Sequence, residues 1–157
     1  MEIRLFGGEI AHVDDADASL VAEFQWRAAY TYYRGRRRLS AVVARQRGDD
    51  RSVIFMHRLI TRPPEGFEVD HIDRDPLNNQ RANLRVCSHA ENMRNRGRFA
   101  NNVSGMKGVY PSQGRWRAQI RFNGQKIHLG YFDSPSLAHA AYAQASDRLH
   151  GEFGVAA

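Results

Sequence analysis

Residues 69 to 92 read VDHIDRDPLNNQRANLRVCSHAEN, with an Asp-His pair at Asp70 and His71 followed by Asn83 and Asn92 at intervals of twelve and nine residues. Carboxylate and amide oxygens are hard donors suited to a divalent cation, and histidine is the side chain whose ordinary pKa lies nearest neutrality. The segment therefore brings together a cation site and a base, the pair of functions that hydrolysis of a phosphodiester needs.

Local signals around the segment predict a hairpin and a helix. Phe67 to Ile72 reads as a strand carrying Asp70 and His71, Asp73 to Asn79 as a polar turn, and Leu84 to Cys87 as the return strand. Ser88 with Glu91 three residues on forms a capping box, so a helix begins there with Asn92 in or near its first turn. Asn78 and Asn79 read as turn formers, because Asn tolerates left-handed backbone and bonds its own chain. Asp73 and Asp75 stand close enough to be alternative cation ligands. Upstream, Phe55 to Ile60 reads as a short apolar turn of helix ended by Pro63-Pro64. His57 on that turn is expected to pack and hydrogen-bond, or to touch phosphate, rather than to ligate a metal.

Towards the N-terminus, residues 3–13 predict a hairpin about Gly7-Gly8, with Asp14 capping a short helix that buries Leu20, Val21 and Phe24. Trp26 to Tyr33 and Leu39 to Arg45 predict a second hairpin with an Arg-rich tip, and Asp49-Asp50 a loop. Towards the C-terminus, Lys107 to Pro111, Arg115 to Phe122 and Lys126 to Phe132 predict three strands joined at Gln113-Gly114 and Asn123-Gly124. Ser134-Pro135 then starts a helix, with Leu137, Ala141, Ala145 and Leu149 as its apolar stripe and Gly151 at its end. The fold class expected is α+β: a β-rich N-terminal region with a metal-binding ββα core, then a three-stranded antiparallel sheet packed on one helix. The expected divisions are residues 1–96, with the core about 55–96, a basic linker at 97–104, and a second domain at 105–154.

The charge distribution points to a polyanion. The chain of 157 residues carries +6, and only Lys107 and Lys126 are lysines, so its cations are almost all guanidinium. From Asn92 to Phe132 there are eight basic residues and no acidic one. Cys87 is the sole cysteine, which excludes an intrachain disulfide and a Cys-rich zinc site. No apolar run reaches the roughly twenty residues of a membrane span. A soluble intracellular protein is the expectation.

His57-Arg58-Leu59, Val69-Asp70-His71-Ile72-Asp73, Leu77-Asn78-Asn79, Asn83-Leu84-Arg85 and Glu91-Asn92 together resemble the HNH homing endonucleases that end the motif in Asn. One departure is Arg74-Asp75, where relatives often carry Gly. The resemblance implies that Asp70 and Asn92 hold one Mg2+ or Mn2+ per site and that His71 is the general base. It also implies that Asn83 bonds across the loop and fixes the backbone that orients the histidine.

Lys107-Gly108-Val109-Tyr110, Trp116 to Arg121, Leu129 to Ser134, Ala140-Ala141-Tyr142 and Gly151-Glu152 resemble the Apetala-two, or ethylene-response-factor, DNA-binding domain. Strand alternation supports a division of labour: Arg115, Arg117, Gln119 and Arg121 on one face, and Trp116, Ala118, Ile120 and Phe122 on the face that packs on the helix. Lys107, Tyr110, Lys126 and His128 would join the first face against double-stranded DNA, with Arg94, Arg96 and Arg98 following a groove. His128 and Tyr110 depart from the plant pattern, so plant target sites do not transfer. The function expected is a site-preferring, nicking DNA endonuclease acting as a monomer. The alternative is a sequence-specific DNA-binding regulator that keeps the HNH unit as an inactive scaffold.

Overall fold

The structure, a computed structural model, describes residues 1–33, 36–46, 49–95, 97 and 102–154. Between residues 33 and 52, side chains are described at 39, 42, 43 and 44. The tip of the second hairpin, at 34–35, and the candidate DNA-binding residues Arg96 and Arg98 lie outside the described residues. Chain contacts divide the protein into two units, Met1–His89 and Ala90–Ala157. The division falls after the first residue of the helix that bears Asn92.

In the first unit, β1 (Glu2–Arg4) and β2 (Ile10–His12) form an antiparallel hairpin whose turn uses positive φ at Gly7 and Gly8. A 3-10 turn and α1 (Ala18–Ala22) follow. Asp14 does not cap this helix. Its carboxylate instead accepts from the backbone N–H of Arg81, 2.8 Å away, and from Gln80 Nε2. Next come β3 (Arg27–Tyr33), β4 (Arg36–Gln46) and β5 (Asp49–Phe55), an antiparallel sheet in that order. Asp49 and Asp50 are therefore strand residues, because pairing with β4 overrides their turn propensity.

Then α2 (Met56–Thr61) ends at Arg62, which takes a left-handed conformation before Pro63. The hairpin of β6 (Glu68–His71) and β7 (Leu84–Cys87) pairs Asp70 with Arg85 and His71 with Leu84. Val13, Val21, Trp26, Val42, Met56, Ile60, Val69 and Leu84 bury one continuous core beneath these elements. Burial of a side chain of this size is worth about 1.5–3 kcal/mol, so the core anchors the hairpin from below.

The second unit opens with α3 (His89–Asn95), whose first residue still belongs to the first unit. Residues 103–108 form turns and bends ahead of the first strand. Ser104 Oγ donates to the carbonyls of Met106 and Val109, and Asn102 Nδ2 donates to Met106. The strands β8 (Val109–Ser112), β9 (Arg115–Phe122) and β10 (Gln125–Phe132) form an antiparallel sheet with β9 at its centre. Both connecting dipeptides have positive φ throughout, as primed turns require.

Helix α4 (Pro135–His150) covers one face of the sheet, capped by Ser134 Oγ, which accepts from the Leu137 N–H. It buries Ala138, Tyr142 and Ala145 against Val109, Ala118 and Ile120. Leu137 is 57% exposed. A strict four-residue repeat turns about 40° further than the helix at each step, so the stripe read from sequence slides off the buried face at its N-terminal end.

Candidate active site and nucleic-acid interface

The β6–β7 loop is built by its polar side chains. Asn83, buried in the 3-10 turn before β7, donates through Nδ2 to Asp73 Oδ1 at 2.9 Å and to the Asn78 carbonyl at 2.8 Å. Its Oδ1 accepts from the Asp73 N–H at 3.0 Å, and its own carbonyl accepts from the N–H of Ile72. Asp73 is thus a turn hub, receiving the Asp75 N–H and Asn78 Nδ2 as well. Partial burial pushes its carboxyl up, but the hydrogen bonds from Asp75, Asn78 and Asn83 and the neighbouring His71 charge outweigh this and hold it below the usual carboxylate range. Arg74 lies between them at φ +67°, the left-handed region. That conformation costs a residue bearing a Cβ about 1–2 kcal/mol.

The N-terminal hairpin supports the loop from behind. The His12 N–H donates to Leu77 and the Asn79 N–H donates to His12, closing a parallel bridge between β2 and the loop. Arg81 grips the buried Asp17 with two bonds, at 2.8 and 2.6 Å.

His71 at the end of β6 is held on two sides. Its Nε2 lies 3.4 Å from Oδ1 of Asn79, a fully buried amide whose Nδ2 donates to the Pro76 carbonyl. The His57 ring meets it edge to face at 5.3 Å. Burial pushes the His71 pKa down, and Asn79, Asp73, Asp70 and Asp75 offset part of that. His57 is lowered further, to about 4, by burial, by His71 and by Arg58, and its Nδ1 is buried with no hydrogen-bond partner. Both rings are therefore neutral at pH 7. Donation from Nε2–H to Asn79 selects the tautomer in which Nδ1 is the basic nitrogen.

Asp70, buried on β6, receives Arg85 Nε at 2.9 Å and Arg85 Nη2 at 2.7 Å, both on Oδ2. Asp70, His71, Asp73 and Asn83 thus stand on one hairpin. Asn92 stands on α3 in the second unit. Among the described residues there is no cluster of three His, Cys, Asp or Glu able to hold a metal.

Sequence reasoning left Asn79 as a turn former and assigned Arg85 no role at the site. The signal for Arg85 was the hairpin register, which sets it directly opposite Asp70. For Asn79 the sequence offers little, because adjacent asparagines look alike until one is buried.

In the second unit the sheet face opposite α4 carries Tyr110, Arg117 and Tyr131 in one cross-strand row, then Gln119 beside His128 and Arg121 beside Lys126. The Arg117 guanidinium lies over the Tyr110 ring at 5.8 Å, and its Nε is buried without a partner. Arg115 is engaged at the rim, where Nε meets Asp133 Oδ1 at 3.0 Å. Lys107 Nζ donates to the carbonyl of Arg94 at 2.6 Å, and the Arg94 guanidinium lies over Phe122. Phe122, half-buried, meets that arginine and also the His150 ring of α4, the helix it was expected to face, at 6.1 Å.

A hairpin with a held histidine, a buried carboxylate and a hydrogen-bonded Asn loop, followed by a helix bearing Asn, defines an HNH nuclease motif, and the chain carries an HNH endonuclease domain. Residues 56–94 match the family described as HNH endonuclease. Protein 3.8 of Escherichia phage T7 is 34% identical over 92 residues, covering 57% of this chain and 75% of that protein. An uncharacterized HNH endonuclease of Acanthamoeba polyphaga mimivirus is 29% identical over 103 residues, covering 64% of this chain and 54% of that protein. No solved structure matches. No described helix is long and apolar enough to cross a membrane.

Proposed function

We propose that the chain is a metal-dependent DNA endonuclease with a preferred site, cutting one strand per active site and acting as a monomer. The observation that carries this reading is the ring of His71, held between the Asn79 amide and the His57 edge beside an Asp70 carboxylate that Arg85 pins in place. His71 Nδ1 takes a proton from the attacking water as its oxygen bonds to phosphorus, the P–O bond to the 3′ oxygen breaks, and that oxygen takes a proton from solvent, leaving a 5′ phosphate and a 3′ hydroxyl. Asn83 acts through the loop, fixing Ile72 and Asp73 and so the direction of the His71 ring.

The donor chemistry fits a hard cation. Mg2+ is commonly held by one or two protein oxygens with water and substrate phosphate completing its shell, which suits the Asp70 carboxylate and the Asn92 amide. When bound, the ion supplies stabilisation of charge on the phosphate and on the departing oxygen.

The second unit is proposed to read the target. Its face of Tyr110, Arg117, Gln119, Arg121, Lys126 and His128 offers guanidinium and amide groups that can pair with guanine and adenine edges, alongside cations for phosphate. The likeness of this unit to the Apetala-two domain supports the same assignment. The test is cleavage of genomic DNA from candidate phages and bacteria with Mg2+, Mn2+ or chelator, with the new ends mapped by sequencing. Discrete, metal-dependent ends are expected. Scattered ends would remove the site preference, and intact DNA would remove the nuclease reading.

A further inference from the structure

A cleft of about 790 Å3 lies wholly within the second unit, lined by α3, by the strands β8 to β10 and by Tyr142 and His150 of α4. Arg94, Lys107, Arg121 and Lys126 line it, and no described acidic residue does. Tyr110 and Gln119 from the sheet face also border it. The bond from Lys107 Nζ to the Arg94 carbonyl and the stacking of Arg94 on Phe122 tie the α3 wall to the sheet.

These features differ from those of an open sheet that slides into a major groove. A groove about 12 Å wide admits a β-ribbon only where the ribbon face stands clear, and here Tyr110, Gln119, Arg121 and Lys126 of that face share a cleft with α3. The volume is that of a small-ligand site, room for about one or two nucleotides. Four cations suit consecutive phosphates, while an aromatic plane and a side-chain amide suit an unstacked base.

We infer that this cleft binds a short single-stranded stretch of DNA, a strand end or an extruded nucleotide, with its phosphates on Arg94, Lys107, Arg121 and Lys126 and a base against Tyr110 and Gln119. The inference rests on the reading of the second unit as the DNA-binding part. Duplex contact then falls to the rest of the sheet face, around Arg117 and His128.

The test uses the full chain in chelator, with fluorescent oligonucleotides followed by anisotropy: a single strand, a blunt duplex, and that duplex with a three-nucleotide tail. Ala90 lines the cleft from the exposed side of α3, so Ala90→Trp plugs it without removing a charge. The expected result is that Ala90→Trp weakens single-strand and tailed-duplex binding at least tenfold while blunt-duplex affinity stays within twofold. Ala90→Leu, a smaller plug, should give a lesser loss. Retained blunt-duplex binding shows that each variant is folded. Unchanged single-strand binding in Ala90→Trp, or equal weakening of every ligand, would overturn the inference. Duplex binding by the wild type with no affinity for single strands would overturn it alone, whereas no DNA binding at all would overturn the DNA-reading proposal with it.

Discussion

Replacing Asn83 tests the loop that aims His71. The side chain makes three hydrogen bonds from a buried position, one of them to the Asp73 carboxylate. A bond to a charged group contributes about 1.5–3 kcal/mol and a neutral one about 0.5–1.5, so Asn83→Ala should cost about 3 kcal/mol, with the Asp73 N–H and Asn78 carbonyl left unpaired. Asn83→Asp is the sharper variant. It sets an oxygen where Nδ2 stood, 2.9 Å from Asp73 Oδ1, and two charges at that separation repel by about 6 kcal/mol at an effective dielectric of about 20 before the loop relaxes. The introduced carboxyl therefore has a folded pKa raised above its unfolded value of about 3.9. Its penalty is absent below the unfolded pKa and grows as pH rises through the folded one. Urea unfolding of Asn83→Asp and wild type at pH 4.5 and pH 7.5 measures this. The deficit relative to wild type should be larger at pH 7.5. Equal deficits at both pH values, or no deficit at pH 7.5, would refute the assignment of Asn83 as a donor to Asp73.

Three further outcomes follow from particular contacts. The His57 pKa is depressed to about 4 in the fold against 6.5 unfolded, so the unfolded chain binds the extra proton and stability falls as pH drops below 6.5; about 2 kcal/mol should be lost by pH 5, and His57→Phe should abolish most of that slope in a denaturation series. Arg85→Met strands the buried Asp70 carboxylate and should cost about 3–5 kcal/mol, with Asp70→Asn in the same chain restoring much of it; an undiminished unfolding midpoint in the single variant would contradict the buried pair. Gly108 has φ +75°, and a Cβ there would sit 2.0 Å from the Tyr142 ring, so Gly108→Ala should lose at least about 3 kcal/mol and its sheet-face binding of DNA, measured by melting and by anisotropy.

Much of the site was legible because the motif is local in sequence. The return strand Leu84–Cys87 follows from its apolar residues and the capping box, and its bounds agree with the reading. What escaped depends on pairing across the chain. Nothing near Asp14 says that its carboxylate serves Arg81, sixty-seven residues away, in place of a helix cap. The contribution of the first seventeen residues was likewise invisible until β2 was seen bridging to Asn78 and Asp17 gripping Arg81. Asn79 reads like Asn78 in the sequence, yet one is fully buried against His71 and the other tops the turn. In the second unit the turn dipeptides and the Ser-Pro helix start carried the topology, whereas the stacking of Arg94 on Phe122 depends on tertiary packing.

The most direct test of the central claim is the initial rate of nicking of a supercoiled plasmid bearing a mapped site, with Mg2+, by wild type and by His71→Ala at matched folded fraction. A positioned general base contributes about 10²–10⁴-fold, so the variant should nick at least a hundredfold more slowly while binding the plasmid as well as wild type does. Equal nicking rates would contradict the assignment of His71 as the base and, with it, the account of why the loop holds that ring so closely.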